Sequence, residues 1–200
     1  MYDVIDNFLP EPEFKEMKEW ASEQSYPSQQ KWYWHPFLTE EENISIKKPF
    51  IGRDIHFFKA NKMVDKSIVH FQKKVFDILN KKDGDTDPNK KVHYTEFKSH
   101  LYKYEYGSGI LMHQDHAEKS DATRYGISFY LNDEWNANWG GELIMYENGE
   151  PKDTVMPKRN RLAIINGSYH KVSPNLNQAI DRLTLQTFVI KKEWSPKMED

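Results

Sequence analysis

His113 and Asp115 stand two positions apart in GILMHQD, a spacing that puts both side chains on one face of an extended segment. An imidazole and a carboxylate so placed can grip a single ion. The pattern is weak by itself: with 8 His and 31 Asp+Glu in 200 residues, chance supplies about one His-x-Asp/Glu pair. The chain holds a second, His116-Ala117-Glu118. Context separates the two, because His113 ends the apolar run GILM of an expected strand, whereas His116 opens the polar AEKSDATR. His116 is therefore read as a surface histidine, or one that supports the ligands from outside.

A third ligand from a distant strand would complete a facial triad, which occupies one face of an octahedron and leaves the other positions open. His170 is the candidate, following LAIING and preceding a Val172-Ser173-Pro174 turn; taken alone it would read as a core histidine. Further on, Arg182 opens RLTLQTFVI with Thr184 two positions later, on the same face of a strand. An Arg pointing into a barrel is costly unless it meets an anion. A guanidinium fork with a neighbouring hydroxyl suits the distal carboxylate of a keto-diacid. The competing reading is a salt bridge at a strand end.

Composition narrows the chemistry. There is no cysteine, which excludes thiol nucleophiles, thiolate zinc sites and disulfides, so a metal must use His and carboxylate ligands. Fe(II), Mn(II) and Zn(II) fit such donors. The net charge of -3 provides no broad basic field, and nucleic acid is not an expected partner. The opening YDVIDNFLPEPEF lacks the basic and apolar regions of a signal peptide, and no run approaches membrane-spanning length. A soluble cytoplasmic protein is expected, without a membrane partner.

The elements that must position these residues are legible as periodicities. Residues 2–9 alternate like a short strand, and Pro10 and Pro12 punctuate the start of a helix with Phe14, Met17 and Ala21 on one face. Val64, Ile68, Phe71, Val75, Ile78 and Leu79 predict a second helix over about residues 62–80 that packs against a sheet. Residues 81–91, KKDGDTDPNKK, read as a mobile loop. From Val92 onward come short β-rich runs: VHYTEFKSHLYKYEY, RYGISFYLN, GELIMYE, RLAIING and RLTLQTFVIK. Helices followed by many short strands predict one mainly β domain over residues 1–200, with helical support over about 1–91 and a sandwich or barrel core over about 92–192. Residues 27–50, carrying Trp32, Tyr33, Trp34 and Phe37, read as a packed loop or a lid.

With these residues in place, the second half resembles the Fe(II)/2-oxoglutarate oxygenase superfamily and, within it, the prolyl 4-hydroxylase-like branch. The blocks agree in order from Tyr104-Glu105-Tyr106-Gly107 through the His-x-Asp, SFYLN, Trp139-Gly140-Gly141-Glu142-Leu143, Pro157 with Asn160-Arg161-Leu162, and His170-Lys171-Val172-Ser173-Pro174 to Arg182-Leu183-Thr184. The resemblance implies a double-stranded β-helix, or jelly roll. It also implies His113, Asp115 and His170 as iron ligands and Arg182 as the anchor for the C5 carboxylate of 2-oxoglutarate. Tyr130 resembles the tyrosine that bonds the same carboxylate, and Tyr104 one that lines the cosubstrate or substrate pocket. Collagen-type members carry Lys where this chain has Arg182, and Arg-x-Thr replaces the Arg-x-Ser of some relatives. An intact Asp115 argues against halogenase chemistry, which needs a small residue there.

The activity so implied is dioxygenase chemistry: Fe(II), 2-oxoglutarate and O2 hydroxylate an unactivated C–H bond and release succinate and CO2, with ascorbate allowed as an auxiliary. The substrate class stays open between a peptidyl proline, favoured by the branch, and a free amino acid or other small molecule. A catalytically silent jelly-roll binding module and a cupin-like metal hydrolase or isomerase are the competing readings. Oligomeric state is not legible.

Overall fold

The computed structural model describes residues 2–24, 51–55, 66–83, 92–115 and 124–193. His116, the aromatic segment at 27–50 and residues 84–91 lie outside the described residues. Two antiparallel sheets face each other. In chain order the elements of the first half are β1 (Tyr2–Ile5), α1 (Glu11–Ser22), β2 (Ile51–Ile55), α2 (Lys66–Asp83), β3 (Val92–Tyr104) and β4 (Ile110–His113). They are followed by β5 (Arg124–Tyr130), a 3-10 turn at Ala137–Trp139, β6 (Leu143–Glu147), β7 (Glu150–Val155), β8 (Leu162–Asn166), β9 (His170–Val172) and β10 (Arg182–Glu193). The larger sheet runs β1-β8-β5-β10-β3-β2 and the smaller β4-β9-β6-β7. These are the two layers of the expected double-stranded β-helix.

Period-two patterning divides the core between the two faces of the larger sheet. Leu101, Tyr125, Ile127, Phe129, Leu162, Ile164, Leu185 and Val189 point outward and meet Phe14, Met17 and Ala21 of α1 and Ile68, Phe71, Val75 and Leu79 of α2. Edge and tilted aromatic packing of Phe129 on Phe8, Phe14 and Phe71 joins these layers. The alternate positions Tyr102, Tyr104, Tyr130, Ala163 and Ile165 point inward and meet Leu143, Met145, Val155 and Val172 of the smaller sheet. The helices therefore stiffen one side of a barrel whose interior belongs to the other.

Some boundaries differ from the sequence expectation. The first strand stops at Ile5 because Asn7 turns the chain at φ 51°. Helix α2 runs on through Asp83, so the first residues of the expected loop at 81–91 are helical. Pro12 sits in the first turn of α1, where its missing N–H is harmless. Val172, expected in a turn, is the last residue of β9. Strands β2, β7 and β9 have no counterpart in the expected runs. Among the described residues no helix is long and apolar enough to cross a membrane.

Candidate active site

The smaller sheet places two imidazoles side by side. His113 is the last residue of β4, and register pairs it directly with His170, the first residue of β9; their ring centroids are 4.2 Å apart. Asp115 lies two residues beyond the end of β4, and its carboxylate stands beside the pair. His113 Nε2 is 3.8 Å from Asp115 Oδ1 and His170 Nε2 is 3.9 Å from Asp115 Oδ2. One donor atom from each residue lies within 4.8 Å of the others.

The supporting contacts fix these side chains. His170 Nδ1 is 2.8 Å from the Ser168 carbonyl oxygen, which holds the proton on Nδ1 and leaves the Nε2 lone pair toward Asp115. Gln114, between the two N-terminal ligand candidates, donates to the Gly167 carbonyl, tying the His-x-Asp segment to the turn that leads into β9. Gly126 of β5 lies beneath Asp115: a Cβ there would overlap Asp115 Oδ2. Only glycine leaves that carboxylate its place.

Asp115 Oδ2 is buried without a hydrogen-bond partner among the described residues. A buried carboxylate oxygen without a partner is costly, and a cation held between the Asp115 carboxylate and the two imidazoles offsets the buried negative charge. The oxygen and nitrogen donors suit Fe(II), so the residues fit the metal.

A second polar cluster lies deeper in the barrel. Arg182, Thr184 and Gln186 alternate along the inner face of β10, separating Arg182 from Gln186 by about 13 Å of strand. Arg182 is 1% exposed, and its guanidinium carbon sits 4.6 Å from the Tyr104 ring centroid and 5.1 Å from that of Tyr130. Register explains the grouping, since Arg182 pairs with Tyr104 and Thr184 pairs with both Tyr102 and Tyr130. Arg182 Nε and Nη1, Thr184 Oγ1 and the Tyr130 hydroxyl are buried without hydrogen-bond partners among the described residues. Burial pushes the Tyr130 phenol up from its ordinary value, with the Arg182 charge pulling the other way, so Tyr130 is a neutral donor at pH 7. Convergent donors around a buried cation make a seat for a carboxylate.

Gly141 closes the far side of this seat. Its φ is 73°, and a Cβ there would stand 2.9 Å from Arg182 Cδ and 3.1 Å from Trp135 Cζ2. Trp135 is held by its own Nε1–H, donated to the Gly140 carbonyl at 2.7 Å. Each sequence-predicted site residue thus falls into one of two groups: His113, Asp115 and His170 in one, Arg182, Thr184, Tyr130 and Tyr104 in the other, both facing the barrel interior. Gly126 and Ser168 were not legible as site residues, because no local pattern marks a glycine that faces a carboxylate from another sheet. Gly141 had a signal in the Trp139-Gly140-Gly141 block.

Residues 99–190 match the family model of the 2OG-Fe(II) oxygenase superfamily. Among solved structures, the chain is similar to a prolyl-4-hydroxylase from Pseudomonas putida, with 16% identity, a TM-score of 0.69 and coverage of 94% of this chain and 91% of that one. A prolyl hydroxylase from Trichoplax adhaerens, in complex with a hypoxia inducible factor oxygen degradation domain peptide fragment, has 18% identity and a TM-score of 0.68, with 94% and 82% covered. HygX from Streptomyces hygroscopicus, with nickel and 2-oxoglutarate bound, has 9% identity and a TM-score of 0.59, with 98% and 83% covered. At these identities the likenesses establish a shared fold. A search of curated protein sequences yields no match.

Proposed function

We propose that the protein, whose residues 99–190 match the family model of the 2OG-Fe(II) oxygenase superfamily, is an oxygenase of that kind and hydroxylates a prolyl residue in a peptide or protein. In this reading His113, Asp115 and His170 hold Fe(II), and Arg182, with Thr184 and Tyr130, holds the C5 carboxylate of 2-oxoglutarate. Tyr104 walls the cosubstrate pocket, and the whole chain forms one oxygenase domain. The observation that carries the reading is the pairing of two unsatisfied groups on one barrel interior. A buried carboxylate beside two imidazoles asks for a cation, and a buried cation among hydroxyl donors asks for an anion. A plain binding module or a cupin-like hydrolase has no use for both.

Iron and 2-oxoglutarate, when bound, supply the oxidising power for C–H hydroxylation, with succinate and CO2 as co-products. The chain's own residues position and exclude. Ser168 holds the His170 ring; Arg182 offers a planar fork that suits a carboxylate. Tyr130 keeps its proton and donates it in a hydrogen bond. Leu143, Met145, Val155 and Val172 line the interior with apolar surface, which lowers the local dielectric and strengthens both ion contacts.

The peptidyl-proline substrate is supported by prolyl hydroxylases among the similar structures, one of which is in complex with a peptide fragment, and by the order of sequence blocks from Tyr104 to Thr184. The test incubates iron-loaded protein with 2-oxoglutarate, oxygen and either proline-rich peptides or free L-proline. Succinate release and the mass gain of one oxygen atom are followed. Coupled hydroxylation of a peptide is expected. Hydroxylation of free proline with every peptide inert would remove the peptidyl reading and keep the oxygenase.

A further inference from the structure

Gln186 is a polar residue on the inner face of β10 that neither polar cluster uses. It is 9% exposed, so where its amide points is a matter of energy. The Ser128 hydroxyl, opposite it in register on β5, donates to Gln186 Oε1 at 2.5 Å. The Ser128 hydroxyl can donate or accept, so what sets the orientation is the group on the other side of the amide, whose oxygen only accepts and whose nitrogen only donates. With Oε1 turned to Ser128, Nε2 faces Gly126 and lies 3.6 Å from the point a Cβ there would occupy. Asp115 Oδ2 overlaps that same point and lacks a hydrogen-bond partner among the described residues. A donor and a buried acceptor therefore look into one small space, and the missing side chain at Gly126 keeps it open. The reversed amide would set two acceptor oxygens against each other.

We infer that Gln186 is a positioning residue for Asp115: its Nε2–H donates to the Asp115 carboxylate oxygen that does not bind metal, and Ser128 holds the amide in that orientation. The inference rests on the proposed assignment of Asp115 as a metal ligand. A carboxylate bound to a metal through one oxygen can swing about its terminal torsion. A fixed donor on the second oxygen removes that freedom and leaves the first aimed at the metal. Loss of such an outer partner costs about 10- to 100-fold in metal affinity.

The test measures Mn(II) binding calorimetrically on the full chain, without 2-oxoglutarate, for the parent protein and for Gln186→Met, Ser128→Ala, their combination and His113→Ala. Melting curves of the metal-free proteins accompany each titration. Gln186→Met, unbranched and of similar length, is expected to weaken Mn(II) about 10- to 100-fold with little change in metal-free melting. Ser128→Ala is expected to weaken it less. The double variant should bind as Gln186→Met does, since Ser128 acts through Gln186; independent structural effects would instead add. Mn(II) affinity within threefold of the parent in Gln186→Met, with His113→Ala unable to bind, overturns the inference and leaves the ligand assignment standing. Additive losses also overturn it. Retention of Mn(II) by His113→Ala overturns both.

Discussion

Replacing Arg182 by Met removes the charge at the deep end of the barrel while keeping a long apolar side chain. Two effects on stability oppose each other. The variant loses contacts with the Tyr104 and Tyr130 rings, each contributing about 0.5–2 kcal/mol, but also removes a guanidinium that is 1% exposed, whose desolvation costs several kcal/mol. The two nearly cancel, and the metal-free, cosubstrate-free protein should melt within a few degrees of the parent, at about 2–4 °C per kcal/mol for a chain of this size. Cosubstrate binding has no such compensation. A carboxylate left in the seat without its charged partner costs about 3–5 kcal/mol, which corresponds to roughly two to three and a half orders of magnitude in the Kd for 2-oxoglutarate. Calorimetry with Mn(II) in place of iron measures that Kd without turnover. Thermal melting gives a second reading: 2-oxoglutarate at 100 times its Kd stabilises the parent by about 2.7 kcal/mol, a shift absent from Arg182→Met at the same concentration. Arg182→Lys should recover part of the affinity, since the charge returns without the fork. A Kd within threefold of the parent, combined with a large fall in the melting temperature, would show Arg182 to be a structural residue. Equal losses of metal and 2-oxoglutarate affinity would refute the division of the site into two ends.

Four further outcomes are expected. His113→Ala, Asp115→Ala and His170→Ala should each abolish Fe(II) binding and turnover while far-UV circular dichroism stays unchanged, whereas His116→Ala should retain both; metal titration decides between them. Gly126→Ala should weaken Mn(II) about tenfold or more, as loss of carboxylate placement does, because its methyl group takes the position of Asp115 Oδ2; unchanged titration curves would contradict this. Tyr130→Phe should raise the Kd for 2-oxoglutarate about 10- to 100-fold, the worth of one hydrogen bond to a charged group, without moving the metal affinity. Asp6, which bonds Arg161 and Lys158, is held well below the usual carboxylate range, first by the Arg161 hydrogen bond. Its folded-state value is depressed, so its stabilisation is present above the unfolded value near 4 and is lost as pH falls toward the folded one. Asp6→Asn should lower the melting temperature at pH 7 and converge on the parent in acid; a difference that grew on acidification would contradict the assignment.

How much was legible in the sequence depended on how local the cause was. Helix α2 and strands β5, β8 and β10 announced themselves because each buries a face against the core, and burial writes a period of 3.6 or 2 into the chain. The same periodicity put Arg182 and Thr184 on one face before any partner strand was known. Strand β7 did not announce itself, since five of the six residues in Glu150–Val155 are exposed and an edge strand with one buried residue has no apolar period to read. Strand β9 is three residues long and exists through pairing with β4 and β6, a relation no local propensity encodes.

The sequence by itself determined the donor set: no cysteine, a His-x-Asp at the end of an apolar run, a later histidine and an arginine opening the last strand. Side-chain chemistry is a property of each residue wherever it sits, which is why these choices could be made from one dimension. Only the tertiary structure decided that Asp115 reaches the histidines from beyond the end of β4, that the space for its carboxylate is the missing side chain of Gly126, and that Gln186, bonded to Ser128, stands beside that space. Each is a contact between strands far apart in the chain. Such contacts are set by register and by the approach of one sheet to the other, and a single mispaired residue would reverse which face a side chain occupies.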